Sequence, residues 1–231
     1  MGSHDILTLY STKAIEYGIA VAFLLLFVPF WRFVSAEAQP AVAAARVRPV
    51  LTDLVEWFRM ARDVAFHPGH AWARAETPGL VAVGMDDFAQ KLVGPVHAIS
   101  LPTVGTRVAQ GDRAWRLHVD GRAVDMVSPV DGIVSAVNHR VLESPETVGQ
   151  DPYGAGWLFK VQAPRFEANQ KSLLSGTLAR RWLEDATDAL RLRLSPDLGL
   201  ALQDGGLPVD GLAHAIDGGR WDEIAREFLL T

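Results

Sequence analysis

The stretch Gly111-Asp112-Arg113-Ala114-Trp115-Arg116-Leu117-His118-Val119-Asp120-Gly121-Arg122-Ala123-Val124-Asp125-Met126-Val127-Ser128-Pro129 decides the fold of this chain. Apolar and polar residues alternate on both sides of Asp120-Gly121, the period of a half-buried strand. Asp-Gly is among the best pairs for a two-residue type I′ turn, in which both central residues take positive φ. The segment therefore predicts a hairpin of two strands, Ala114–Val119 and Ala123–Val127, with a polar tip.

Outward from the hairpin, short runs of the same kind recur at Leu80–Val83, Val96–Leu101, Ile133–Val137 and Trp157–Val161, separated by Gly, Pro and Asp. They predict a small all-β unit. Gly105, Gly111, Gly132, Gly154 and Gly156 read as turn positions where a positive φ costs nothing, and Pro102 and Pro129 as strand edges. After Pro164 a helical period returns, with Leu174, Leu178, Trp182, Ala186 and Leu190 on one face and Pro196 as the stop. The tail, 196–231, reads as two short helical stretches around Gly205-Gly206 and Gly218-Gly219. The second is amphipathic through Trp221, Ile224, Ala225, Phe228 and Leu229. Upstream, residues 35–65 read as an alanine-rich linker followed by an amphipathic helix. Leu51, Leu54, Val55, Phe58, Ala61 and Ala65 have helical spacing, Pro49 suits the first turn, and His67-Pro68-Gly69 forms the stop.

Residues 14–34 are apolar except near the ends, where Glu16 and Arg32 stand. As a helix this segment would reach about 32 Å, enough for a hydrocarbon core of ~30 Å. Its Ile, Val, Leu and Phe residues favour insertion by roughly 4 to 7 kcal/mol. Tyr17 and Trp31 suit the interfaces, and residues 1–13 form a short N-terminal segment. Lys13 precedes the span, whereas Arg32, Arg46 and Arg48 follow it, so the positive-inside rule places the larger part of the chain in the cytoplasm. A cleaved secretory signal is the rival, because Val34-Ser35-Ala36-Glu37-Ala38 loosely resembles a cleavage site. The acidic residues before the span and the length of the apolar core favour a retained anchor.

Composition excludes several classes. The 231 residues carry 22 Lys and Arg against 27 Asp and Glu, a net charge of −5, which argues against nucleic acid as a partner. With no cysteine there is no disulfide framework, thiol nucleophile or Cys-ligated metal. His67 and His70, and His118 with Asp120 and Asp125, are too scattered to predict a metal site. Gln203-Asp204-Gly205-Gly206 lacks phosphate-loop spacing and reads as a turn. No Gly-x-Ser-x-Gly elbow is present, so the chain predicts no enzyme.

The motifs of the β unit, taken together, resemble the glycine cleavage system H protein family, which has the lipoyl fold. His70-Ala71-Trp72 stands where that family has His-Glu-Trp. Val83-Gly84-Met85-Asp86-Asp87-Phe88-Ala89-Gln90 is similar to its Val-Gly-Ile-Thr-Asp-Tyr-Ala-Gln, and Leu101-Pro102-Thr103-Val104-Gly105 to its Leu-Pro-Glu-Val-Gly. Ser128-Pro129-Val130-Asp131-Gly132 fits the strand after the family's hairpin. Asp151-Pro152-Tyr153-Gly154-Ala155-Gly156-Trp157-Leu158-Phe159-Lys160 is close to its Asp-Pro-Tyr-Gly-x-Gly-Trp-Leu-Phe-Lys. The resemblance implies a mainly β fold, a flattened lipoyl-type barrel sandwich over 66–195, with an N-terminal transmembrane helix and C-terminal helices added by this chain.

The resemblance also implies a carrier lysine at the hairpin tip, amidated by lipoate. The family places fifteen residues between the Gly-Asp that opens the hairpin and the Ser-Pro that closes it, and Arg113 to Val127 are fifteen as well. Without a gap, the lysine position falls on Gly121, and no lysine lies between Lys91 and Lys160. The expectation is a bare hairpin with no cofactor, whose His118, Asp120, Gly121 and Arg122 contact a partner. The chain then reads as a non-catalytic accessory subunit. It would sit in the bacterial inner membrane by one span, contacting lipid through 14–34 and other subunits of a membrane complex through its cytoplasmic domain. Because relatives of the fold serve redox enzymes, an electron-transfer or respiratory complex is the host this suggests. Two alternatives stand beside it. One is an active lipoyl carrier of a glycine-cleavage-like system, with Lys91 or Lys171 modified instead. The other is a periplasmic exporter adaptor, which would carry a long helical insertion that Gly111 to Gly132 lacks.

Overall fold

The computed structural model describes residues 52–194, together with 17, 21–23, 25–27, 202, 203, 207, 208, 211, 212 and 221–230. The chain divides into two units, Met1–Arg46 and Val47–Thr231. In the first, the described residues are helical, and Tyr17, Val21, Phe23, Leu25 and Leu26 are exposed. No helix among the described residues is long and apolar enough to cross a membrane. Most of the 14–34 segment lies outside those residues, as do the linker before Leu51 and most of the stretch around Gly218-Gly219.

The second unit is mainly β. Six strands form one antiparallel sheet in the order β3 (Ala65–Phe66), β4 (Ala71–Thr77), β5 (Leu80–Met85), β11 (Phe159–Gln162), β10 (Gly132–Val137), β7 (Arg107–Val108). A second sheet has the order β6 (Ala98–Ser100), β8 (Arg113–Val119), β9 (Arg122–Val127). Period-2 patterning explains β8: Trp115, Leu117 and Val119 are buried while Arg113 and Arg116 are exposed. Trp115 meets Phe159 edge-on at 5.5 Å, tying the two sheets together. Trp72, Tyr153, Phe159, Leu117 and Met126 fill the interior. Gly84 gives way to Trp72, since a Cβ there would lie 2.4 Å from the indole ring.

Helix α1, Asp87–Val93, follows β5. Asp86 caps it, accepting from the Ala89 amide at 2.8 Å, and the Gly94 amide donates to Gln90 O at its end. Two short helices, α2 (His139–Glu143) and α3 (Thr147–Gln150), precede the Asp151–Leu158 loop, and α4 (Phe166–Gln170) follows β11. The long helix α5 spans Gly176–Leu194, and the expected stop at Pro196 lies outside the described residues. The tail holds a two-stranded ladder, β12 (Leu202–Gln203) with β13 (Leu207–Pro208), and the helix α6, Trp221–Leu229.

Four expectations need correction. Residues 52–65 do not form a helix: β1 (Thr52–Val55) and β2 (Phe58–Ala61) pair antiparallel, Val55 opposite Phe58 and Thr52 opposite Ala61, around Glu56-Trp57. The i, i+3, i+4 spacing was accidental. Here Val55, Trp57, Phe58, Met60 and Ala61 are buried because a two-residue turn sets β2 against α1 and β1 against the long helix Gly176–Leu194, and the Phe58 ring lies tilted 4.8 Å from Phe88. On α5, the buried face runs through Ala179, Leu183, Thr187 and Leu190. Leu178 is exposed, and Leu174 lies before the helix, bridged to Phe66. The stretch flanking Gly205-Gly206 is a ladder rather than a helix. Finally, Gly154 and Gly156 are needed for space rather than for φ: a Cβ would lie 2.3 Å from Asp151 Oδ2 at one and 2.6 Å from Asp151 O at the other.

Candidate functional site

The hairpin β8–β9 forms as its sequence dictates. Val119 pairs with Arg122 and Leu117 with Val124, leaving Asp120 and Gly121 as the two-residue turn, with φ of 47° and 76°. Both signs are positive, as a type I′ turn requires. The base is closed by Gly111 N donating to Ser128 O and Ser128 N donating to Asp112 O, both at 2.8 Å. Nothing lies within 4 Å of where a Gly121 Cβ would stand, so the tip itself is open.

The side chains next to the tip are engaged within the chain. His97 Nε2 sits 2.8 Å from Asp120 Oδ1, and His118 Nε2 sits 2.9 Å from Ser100 Oγ, both links crossing to the β6 side. On the opposite side, the guanidinium of Arg122 lies over the Trp221 ring at 5.7 Å. Asp125 takes two hydrogen bonds from Arg116, at 2.7 and 3.2 Å, with Arg113 at 3.5 Å. The bond from Arg116 holds its carboxyl below the usual range. An open cleft of about 320 Å³ on this outer face is lined by Ser100, Arg113, Trp115, Arg116, His118 and Asp125. The four residues expected to contact a partner are thus brought to one end of the hairpin, and three of them have intramolecular partners as well. Sequence reasoning missed His97, Ser100 and Trp221, because only the cross-strand register and the return of the tail identify them.

A second polar cluster is buried. His70 Nδ1 and Asp86 Oδ2 are 2.8 Å apart, and His70 stacks on Phe88 at 4.1 Å with the Trp182 ring tilted at 4.6 Å. Asp87, fully buried, receives Arg59 through its backbone amide and guanidinium and holds Lys91 at 3.1 Å. Tyr153 O–H donates to Arg59 O, and burial pushes its pKa well above the ordinary phenol value. Every partner in this cluster is another part of the fold, so its chemistry is cohesion. His67 does not join His70 to form a metal site; its Nδ1 accepts from the Gly69 amide at 3.0 Å. Among the described residues no group of three His, Asp or Glu could hold a metal ion.

The sandwich with its two-residue hairpin matches known proteins over its length. The family model described as Glycine cleavage H-protein matches residues 64–186. The glycine cleavage system H protein of Cronobacter sakazakii is 37% identical over 123 residues, covering 53% of this chain and 95% of that protein. That of Saccharophagus degradans is 38% identical over 111 residues, covering 48% and 85%. A crystal structure of the H protein from Mycobacterium marinum aligns with a TM-score of 0.43 at 30% identity, over 45% of this chain and 86% of that one. The chain belongs to the glycine cleavage H-protein family.

Proposed function

We propose that this chain is a non-enzymatic docking subunit that has kept the H-protein architecture and lost the carrier group. One observation supports this most directly. At the position where the family resemblance puts the lipoyl lysine, the chain has Gly121, in a turn whose two residues both take positive φ. Lipoate is held by an amide to a primary amine, and the tip offers none, so the group does not fit there. Two of the domain's three lysines are poor substitutes. Lys91 Nζ bonds Trp57 O and Asp87, and Lys160 Nζ pairs with Glu76 at 2.6 Å and lies over Trp157. The subunit is held at the bacterial inner membrane through residues 14–34, with its domain in the cytoplasm. The hairpin end carrying His118, Asp120, Gly121 and Arg122 faces another subunit of a membrane assembly. The apolar, exposed side chains of the described part of 14–34 support the anchoring.

A lipoyl carrier of a glycine-cleavage-like system is the second reading, favoured by family membership and by the exposed Lys171 at the end of α4. Intact-mass spectrometry of the native protein separates the two. The docking reading expects no lipoyl adduct, whereas an adduct mapping to any lysine would overturn it.

A further inference from the structure

We infer that the outer face of the β6–β8–β9 sheet docks an acidic protein segment, whose carboxylates are taken by Arg113 and Arg116. The inference rests on the reading of the hairpin as a docking face and gives the partner its chemistry. The strand register decides which side chains share that face. Ser100, Arg116 and Asp125 stand in one rank across the three strands, and Ala98, His118 and Ala123 in another. Between these ranks Ile99, Leu117 and Val124 are paired and buried, so alternation turns the other six outward, and none of the six is buried. Strict alternation would send Arg113 inward with Trp115, but the pairing shifts between these two residues. A bulge of this kind re-aims a side chain. The Arg113 side chain comes out 68% exposed, 3.5 Å from the same Asp125 that Arg116 meets at 2.7 Å.

The charge on this face is unbalanced. Asp125 is shared by Arg113 and Arg116, and the charge of Arg226 on α6 also helps hold it ionised. Three guanidiniums against one carboxylate leave a positive surplus on a chain whose net charge is −5. Asp112 and Asp120 bracket the face at the base and tip of the hairpin, and Asp120 is linked to His97. Arg116 reaches Asp125 through Nε and Nη2, which leaves Nη1 for a second carboxylate, since a guanidinium carries five N–H donors in a fork that suits carboxylates. Ser100 Oγ and His118 Nε2, 2.9 Å apart, extend the polar lining of the open cleft. Ala98 and Ala123, on either side of His118, have no bulk to hold an incoming backbone away. The face therefore suits an extended segment that brings a few carboxylates, whereas the negative charge of the rest of the chain repels a long polyanion.

The test uses the full chain in mild detergent, with a fluorescein-labelled peptide of alternating glutamate and serine as the probe and fluorescence anisotropy as the readout. The wild type is expected to bind it, with affinity falling about tenfold in the double variant Arg113→Ala, Arg116→Gln, and falling as salt rises from about 50 to 300 mM. Asp125→Asn removes the carboxylate that competes for the same guanidiniums and should tighten binding about threefold. That gain separates a docking face from a merely structural ion pair, whose loss would not improve binding. Absence of binding by the wild type, affinity indifferent to the double variant, or unchanged or lower affinity in Asp125→Asn would overturn the inference. So would equal affinity for the same peptide with glutamine in place of glutamate, or for a DNA oligonucleotide of matching charge, because the face would then not select carboxylates. Sedimentation velocity gives the last outcome: self-association abolished by the double variant would make a second copy the occupant and overturn the inference as well. A lipoyl adduct in the native protein would sink the docking reading while leaving these affinities standing.

Discussion

Two of the hairpins that turn on two residues, β8–β9 and β1–β2, point in opposite senses. At Asp120-Gly121 both residues have positive φ, the tip is open, and the neighbouring side chains make exposed links to His97 and Ser100. At Glu56-Trp57 only Glu56 does, with φ of 54°, and Trp57 is turned into the body, 8% exposed, with the Arg191 guanidinium over its ring at 4.5 Å. The first hairpin presents its tip to solvent, whereas the second closes on a helix. The difference teaches that a turn's local geometry does not set its use; what the flanking strands bury does. Beside Asp120-Gly121 the inward residues seal the interior and leave the tip out. Beside Glu56-Trp57 the flanking Val55 and Phe58 are themselves interior.

Substitutions should divide along that line. Phe58→Ala, which empties a site with no solvent exposure beside Phe88, is expected to cost about 3 to 5 kcal/mol, read as a shifted midpoint in chemical denaturation. A loss below ~1 kcal/mol would mean that the β1–β2 hairpin is an appendage. Gly121→Lys places a side chain in open space at a positive φ and should cost only about 1 to 2 kcal/mol. In cells with an active lipoylation pathway this variant should gain a lipoyl adduct absent from the wild type. If it stays unmodified while folded, the hairpin has lost more than its amine. The smallest effect concerns acid. Because Arg116 depresses the folded pKa of Asp125, that pair stabilises the fold above the ordinary carboxylate pKa of about 4, and the contribution disappears as pH falls through the lower folded value. Asp125→Asn should therefore lower the thermal midpoint at pH 6, and that loss should shrink steadily as pH falls below about 4. An equal loss throughout would point to packing rather than charge.

The presenting hairpin was fully legible in the sequence, because its alternation and its Asp-Gly turn depend on nearest neighbours alone. The closing hairpin was not. Glu56-Trp57 carries no turn signal, and four-residue strands whose apolar residues fall three and four apart mimic a helix. Only the surfaces of α1 and α5 decide between them. The seven-residue α1 was missed although Asp86 gives it a sound cap, because two turns are too short for a period to emerge. On α5 the expected stripe was displaced by one residue, since Leu178 belongs to the stripe by spacing and to solvent by position. At the site, the tip was placed residue by residue. Its neighbours His97, Ser100 and Trp221 come from other elements, and no local pattern announces them.

Phe88 gives the family match a practical boundary problem. Its ring touches Phe58, which comes before the matched residues 64–186, and Phe228, which comes after them, while Arg59 supplies the guanidinium for the buried Asp87 beside it. A fragment trimmed to the matched residues would strip the ring on two sides and leave an interior carboxylate with one of its two cations gone. Anyone cutting this domain free for study should therefore begin ahead of Thr52 and keep the tail, for the foldable piece is wider than the inherited one.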